Sequence, residues 1–386
     1  MPDLSNKTIL ILSPQAWGKM YISKHHYAIE LAKRGNKVYF LNPPEQGEKS
    51  VKKSIEVKPS GIQNSLFFIE HRLFFPYSLK FRLLFLFHLL MRIQINRILK
   101  EIKEPIDVVW SFDIGHLYPF SFFGTKPFKL FHPVDEPRNS AAIAAATGAQ
   151  IIFSVTHEIS QKYQHLQVPT HFINHGVVEE FFLHTTDNKK MNDPIRIGFS
   201  GNLLRQDIDR PVLLEIIKGH PTIVFEFWGS YSVEQTNIGG EEDLATVDFV
   251  SSLKASSNVV LHGAVDSGQL ARSVQAMDAF LICYDVQRDQ SKGTNYHKVM
   301  EYLATGKVII SNNVSTYRDR PELIQMIEGR MNNSDLPQLF GKVINQLNEY
   351  NQPECQRIRR DYARDNTYPR QIEKIESKLI AFDVLK

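Results

Sequence analysis

Two cysteines in 386 residues, Cys283 and Cys355, are too few for a disulfide framework or a thiolate zinc site, and they suit a reducing compartment. Charge of one sign is missing too. Lys and Arg total 45 against 42 Asp and Glu, a net charge of +3 that does not argue for a nucleic-acid partner. The longest strongly apolar run without a formal charge, Leu83–Met91, is nine residues, whereas a bilayer-crossing helix needs about 20. The opening MPDLSNKTILIL has no basic stretch feeding a long apolar one, so no leader peptide is expected. None of the 14 histidines forms an H-x-x-x-H pair on a helical stretch, so no metal is expected. No internal repeat occurs at solenoid spacing.

What is present describes a soluble globular chain: 42% hydrophobic and 23% charged residues. The length exceeds one comfortable core, so two domains are expected. Thr8–Leu12 reads as a buried strand. Ser23 then caps a helix carrying Tyr27, Ala28, Leu31 and Ala32, closed by Gly35, and Lys37–Leu41 is a second strand ending in N-P-P. Strand, helix, glycine and strand make a βαβ opening. Residues 76–104 form one long apolar helix or two. Strands follow at Asp107–Ser111, Lys129–His132 and Ile151–Val155, with short helices at Ala141–Ala146 and Glu158–Tyr163. Polar residues 184–194 are the linker candidate. Beyond it, strands are expected at 195–202, Ile223–Trp228, 258–265 and Ala279–Tyr284. Helices are expected at Val212–Lys218, Ser267–Met277 and Gln371–Ile380, and residues 239–258 read as irregular.

The densest chemistry lies in Lys292–Ser311, KGTNYHKVMEYLATGKVIIS. Gly293, Thr294 and Asn295 form a loop whose backbone N–H groups suit an anion. Tyr296–Thr305 has helical spacing, Gly306 ends the helix, and a core strand follows. Lys298 and Glu301, three apart, share one face near the helix start. That placement suits a diphosphate beside the lysine and two ribose hydroxyls on the carboxylate. The plain alternative is a surface helix with an ordinary Lys–Glu pair.

This segment resembles the donor-binding signature of GT-B glycosyltransferases, the family 4-like group related to glycosyltransferase family 1. Lys298, Glu301, Tyr302, Ala304, Gly306, Lys307 and Val308 stand on its pattern, without the usual proline after Lys307. Residues 171–182, HFINHGVVEEFF, resemble the segment closing the family's first domain, with His175 inserted and Val178 at its aspartate position. The resemblance implies an α/β fold of two Rossmann-like domains facing a cleft. They would be an acceptor domain over 1–185 and a nucleotide-sugar donor domain over 186–365, with a helix over 366–386 crossing back to the first. Retaining members often carry a glutamate where this chain has Gly293, which leaves the stereochemical outcome open.

Within that frame Ser200, Gly201 and Asn202 end a strand where α/β sheets bind ligands, and Gly201 leaves room for a phosphate. Arg205 and Arg210 follow, one of them to neutralise the departing diphosphate, with a surface arginine as the plainer reading of Arg210. His262 stands where relatives contact the nucleotide base. Asp135, after the strand KLFH, is the candidate base for the acceptor hydroxyl, ahead of Glu136. Trp17 and His25 are acceptor-side candidates, with a plain helix start as the alternative for His25. Asp207-Ile208-Asp209 spells D-x-D, but the two acids read as surface residues and not as a metal site. Residues 71–104 carry seven Lys and Arg against two Glu, interleaved with aromatics. That pattern suits an interfacial helix on an anionic leaflet, or a packed helix with a basic edge.

The expected function is transfer of a sugar from a UDP- or GDP-linked donor, without a metal or other cofactor. The acceptor would be a glycan or lipid-linked precursor of cell-surface polysaccharide, handled in the cytoplasm or at the inner membrane surface. The alternatives are a nucleotide-sugar epimerase of the same fold and a non-catalytic nucleotide-sugar-binding relative.

Overall fold

β1 (Thr8–Leu12) is apolar without alternation, TILIL, because both of its faces are covered; the last four of its residues are buried. It stands inside an eight-stranded sheet in a computed structural model that describes residues 4–18, 21–45, 54–182, 193–233, 243–289 and 292–384. The other strands of that sheet are β2 (Lys37–Leu41), β3 (Ile55–Pro59), β4 (Leu66–His71), β5 (Val108–Ser111), β6 (Phe128–Phe131), β7 (Ile151–Ser154) and β8 (Thr170–Phe172). Their order is β3-β4-β2-β1-β5-β6-β7-β8, and every pair is parallel except β3 with β4. Helices α1 (Ser23–Lys33), α2 (Leu79–Arg82), α3 (Leu84–Ile102), α4 (Ser140–Ala144) and α5 (His157–Lys162) complete this part. Phe87, Met91, Ile95, Ile98 and Ile102 of α3 recur at helical spacing and pack with Leu10, Leu12, Tyr39, Leu41 and Val109 of the sheet.

The second sheet has six parallel strands: β9 (Arg196–Ser200), β10 (Val224–Trp228), β11 (Val259–Gly263), β12 (Ala279–Ile282), β13 (Val308–Ser311) and β14 (Gln325–Met326), in the order β11-β10-β9-β12-β13-β14. Around it lie α6 (Arg210–Gly219), α7 (Leu244–Ala255), α8 (Ser267–Ser273), α9 (Lys298–Thr305), α10 (Leu336–Asn345), α11 (Leu347–Tyr350), α12 (Pro353–Arg364) and the start of α13 (Tyr368–Val384). The chain divides into one unit of Met1–Trp17, Ile22–Asn174 and Gln371–Lys386, and another of Gly18–Tyr21 and His175–Arg370. From Gln371 the chain returns to the first unit, as the resemblance implies: Glu376 accepts from the Leu4 backbone N–H at 2.9 Å and pairs with Arg34 at 2.9 Å. The HGVVEEFF stretch packs within the second unit, where Val177 bridges to Thr367 and Gln275 donates to the Phe181 carbonyl at 2.9 Å.

Several local expectations change. Ser23 lies inside α1 rather than capping it; the cap is Ile22, whose N–H is met by Nδ1 of His25 at 3.0 Å. Strands β3 and β4 were not expected. Residues 244–255 are a helix and not irregular: Asp243 caps it through the Thr246 N–H at 2.7 Å, and Thr246, Phe249, Val250 and Leu253 bury one face. Of the linker candidate 184–194, residues 184–192 lie outside the described residues.

Candidate active site

Both sheets are doubly wound, so each has a point where the chain, having built outward on one side, crosses to the other. Crevices form there beyond the carboxyl ends of the strands. In the second unit that point lies between β9 and β12, and the motif residues converge on it. Lys298, the first residue of α9, donates through Nζ to the Ser200 carbonyl and the Tyr284 hydroxyl. The ammonium also lies 4.7 Å from the Tyr284 ring centre and 5.0 Å from that of Phe199. Tyr302 anchors the same turn: its hydroxyl accepts from the Ser200 N–H at 2.7 Å and meets Ser200 Oγ at 2.9 Å.

Gly201 follows with φ +149, and a Cβ there would stand 2.6 Å from Lys298 Nζ and 3.0 Å from the Tyr284 hydroxyl. A side chain would therefore close the space that the lysine faces. Asn202 is buried and uses its Oδ1 to accept from the Leu204 N–H at 3.0 Å, which fixes the turn. Burial above all, and then the neighbouring charge of Arg205, lower the Lys298 pKa to about 7 against the opposing charges of Glu301, Asp207 and Asp289.

Arg205 is itself held. Its Nε donates to Asp207 at 2.8 Å, and Nη2 reaches Asp207 and, at 3.3 Å, Asp289. Burial is the largest influence and works against its charge, but the bonds to Asp207 together with the charges of Asp207 and Asp289 outweigh it and hold the guanidinium charged. Asp207 is thus a buried partner of Arg205, and Asp209 caps α6 through the Val212 N–H at 3.3 Å while accepting from Asn333 at 2.8 Å. Neither acid of the D-x-D is the surface residue that the sequence suggested. Arg210 likewise turns to structure, donating to Thr246 at 2.8 Å.

Asp289 organises the loop before α9. It accepts from the Gly293 N–H at 3.0 Å and from the Tyr296 hydroxyl at 2.7 Å. The Gly293 N–H is therefore already used, and Tyr296 is a buried strut. The carbonyls of Gly293 and Thr294 accept from the N–H groups of Ser315 and Thr316, each at 3.1 Å. Gly293 has φ +61, and a Cβ would lie 2.9 Å from the Asn313 carbonyl oxygen. This backbone cannot carry a glutamate without moving. Thr294 and Asn295 are buried beside it. Glu301 is buried at 8% exposure and meets His297 Nδ1 at 3.3 Å, while His297 Nε2 lies 2.9 Å from the Tyr368 hydroxyl. His262, exposed on edge strand β11, stacks on Trp228 at 4.8 Å, with its Nε2 2.8 Å from Glu226.

In the first unit the corresponding point lies between β1 and β5. Lys24, wholly buried in the first turn of α1, donates to Gln15 Oε1. Burial lowers its pKa to about 8, against the opposing charges of Asp135 and Asp113. Asp113 accepts from the N–H groups of Gly115, Leu117 and Tyr118 at 2.8, 2.7 and 3.1 Å. Asp135 is half-buried after β6 and accepts no hydrogen bond among the described residues; Asn139, and not Asp135, caps α4. Glu136 is buried and paired with Lys162. Trp17 packs on His25 at 4.9 Å, on Phe40 at 4.8 Å and on Phe68 at 4.5 Å, so His25 is a fully buried member of an aromatic cluster. Trp17 also borders a pocket of about 640 Å³ lined by Asn42, Glu45, Glu70, Tyr77, Lys80 and Asp113 among others; neither Asp135 nor His25 lines it.

Sequence reasoning singled out Lys298, Glu301, Gly201 and Arg205 and placed Tyr302 on the motif without a role; it passed over Tyr284, Asp289, Glu226, Lys24 and Asp113, which carried no local signal. Among the described residues no group of three or more His, Cys, Asp or Glu could hold a metal ion.

No family description matches this sequence, and no curated protein matches it by sequence. Solved structures do match in shape. Sucrose-phosphate synthase from Thermosynechococcus elongatus aligns with a TM-score of 0.70 at 12% identity, over 98% of this chain and 100% of that one. HepE from Anabaena, in complex with UDP and glucose, gives 0.67 at 10% identity over 97% and 99%. The lipopolysaccharide outer core galactosyltransferase WaaB in its apo form gives 0.58 at 13% identity over 97% and 99%. The chain has the fold of GT-B glycosyltransferases.

Proposed function

We propose that this chain is a glycosyltransferase that moves a sugar from a nucleotide diphosphate sugar, UDP- or GDP-linked, to a glycan or lipid-linked acceptor in cell-surface polysaccharide synthesis, working in the cytoplasm. One observation carries this reading: Lys298 is a half-buried cation facing a side-chain-free turn at Gly201, with a second cation, Arg205, acting on it. Two positive groups at the carboxyl end of β9, held in place by Asp207, Asp289 and Glu301, suit a diphosphate.

In this reading Lys298 and Arg205 bind the diphosphate and stabilise it as it leaves, which is why no metal is invoked. Glu301 accepts from the ribose hydroxyls, and the ring of His262, braced by Trp228 and Glu226, supports the base. Ser200, Asn202 and the Gly293–Tyr296 loop hold the cations in place more than they touch the donor. Asp135 is the proposed base for the acceptor hydroxyl, with Lys24 keeping positive charge beside it; Trp17 borders the acceptor pocket and His25 supports Trp17 from behind. The new glycosidic bond forms from the acceptor oxygen to the anomeric carbon. The bond to the diphosphate breaks, and the acceptor proton passes to Asp135.

The test is thermal stabilisation by UDP-, GDP- and other nucleotide sugars, followed by transfer assays on glycan and lipid-linked acceptors. Stabilisation by one nucleotide class, lost in Glu301→Ala, with transfer lost and donor binding kept in Asp135→Asn, is the expected result. Isomerisation of the donor sugar without acceptor would make the chain an epimerase, and binding with no turnover would make it a non-catalytic relative.

A further inference from the structure

Helix α3 has two different halves. From Phe87 onward one apolar stripe faces the sheet, with Met91, Ile95 and Ile98 fully buried, while Leu89 and Ile93 on the outer face stay exposed. Before Phe87 the pattern fails: residues 81–86, FRLLFL, are all exposed, and none of α2 is buried. Phe81 is 78% and Phe85 86% exposed. Among the described residues, eight of the fifteen exposed large hydrophobics lie between Phe74 and Ile93. So dense an apolar surface in water signals a partner.

Charge indicates which partner. Residues 71–100 contain six Lys and Arg and no Asp or Glu. Arg82 and Arg92 stand exposed beside the apolar tip and make no ion pair among the described residues. Uncompensated cations next to bulky apolar side chains match a bilayer of anionic lipids: headgroups meet the arginines and acyl chains meet the phenylalanines. No helix among the described residues is long and apolar enough to cross a membrane, so the contact is with one leaflet. The expected interfacial helix is thereby narrowed: the surface free to dock is the elbow where α2 meets α3 with the outer face of α3 as far as Ile93, because the inner face of α3 is core.

We propose that the α2–α3 elbow inserts into the surface of an anionic bilayer. Lys80 of α2 and Tyr77 just before it line the 640 Å³ pocket of the first unit, so the docking surface runs into that pocket and brings a bilayer-anchored acceptor's polar head to it. This last step rests on the glycosyltransferase reading; the docking itself does not.

Flotation with vesicles of phosphatidylcholine plus phosphatidylglycerol, against phosphatidylcholine alone, tests the docking. The full chain is expected to float with the anionic vesicles. Phe81→Asp with Phe85→Asp, and separately Arg82→Glu with Arg92→Glu, should each lower binding by about tenfold or more. The melting temperature and the shift produced by UDP should stay unchanged in both variants, because these side chains are exposed. No binding to anionic vesicles overturns the proposal, as does equal binding by the variants. A dimer in solution that Phe85→Asp dissolves, without vesicle binding, assigns the elbow to a second copy of the chain instead. Loss of the UDP shift in the unaltered protein would count against the transferase reading and leave the docking result standing.

Discussion

Two lysines occupy comparable places, one in each unit. Lys24 and Lys298 both lie where a doubly wound sheet changes direction, both donate to a neighbouring oxygen, and burial lowers the pKa of both. Their surroundings differ. Lys24 is sealed at 0% exposure, and the charges acting on it are carboxylates, Asp135 and Asp113. Lys298 is only half-buried, and the largest charge acting on it is another cation, Arg205. Lys24 has only carboxylates acting on it, whereas Lys298 shares three, Glu301, Asp207 and Asp289, with a second cation. A compensated buried cation is architecture. A second cation in the same cluster is what a diphosphate needs, and that is the role proposed for Lys298 with Arg205.

The contrast breaks most sharply under substitution. Lys298→Met should lower affinity for UDP by about a hundredfold, since a charge-assisted contact to phosphate is worth about 1.5–3 kcal/mol. Lys24→Met should change it by less than about twofold. Titration calorimetry reads both, and similar losses in the two variants would erase the distinction. Gly201→Ala should cost about tenfold, because its Cβ would sit 2.6 Å from Lys298 Nζ at a φ of +149. An affinity unchanged by that methyl group would place the phosphate elsewhere.

A smaller effect is expected at Glu301. Glu301→Gln should weaken UDP by about fivefold, and 2′-deoxy-UDP should bind the variant no worse than UDP does, because the lost hydrogen bonds are those to ribose. The smallest effect belongs to Lys24. Its pKa in the folded state, about 8, lies below the ordinary 10.5, so between these values the unfolded chain binds more protons and stability rises with pH. Lys24→Met should flatten that rise in melting temperature, and a slope that survives the substitution would deny Lys24 its burial.

Much of this arrangement was legible in the sequence, and the boundary of legibility has a physical cause. Lys298, Glu301 and Gly306 sit within nine residues on one helix, so spacing alone placed them together. The alternation of apolar strands and helices marked both sheets because parallel strands buried on both faces read as unbroken apolar runs. Asp289 was invisible because its role depends on Arg205, 84 residues away, brought near by strand order. Tyr284 and Lys24 were hidden in the same way. Asp207 misled in the other direction: a charged triplet looks solvated until its arginine is found. Helix α7 was missed because its apolar residues fall on both faces, with Leu244 and Val247 exposed and Phe249, Val250 and Leu253 buried, which blurs the helical stripe, and the α2–α3 elbow could not be separated from the packed part of α3 by periodicity alone.

The central claim is that Lys298 waits for an anion. Its pKa of about 7 in the free protein means that a bound diphosphate, which favours the charged form, must draw in a proton at higher pH. Affinity then falls as pH rises above about 7. UDP titrations at pH 8 in buffers of different ionisation enthalpy measure that proton directly. The account predicts uptake of about one proton per site in the unaltered protein and none in Lys298→Met. Binding with no proton uptake, or uptake that persists without the lysine, would contradict it.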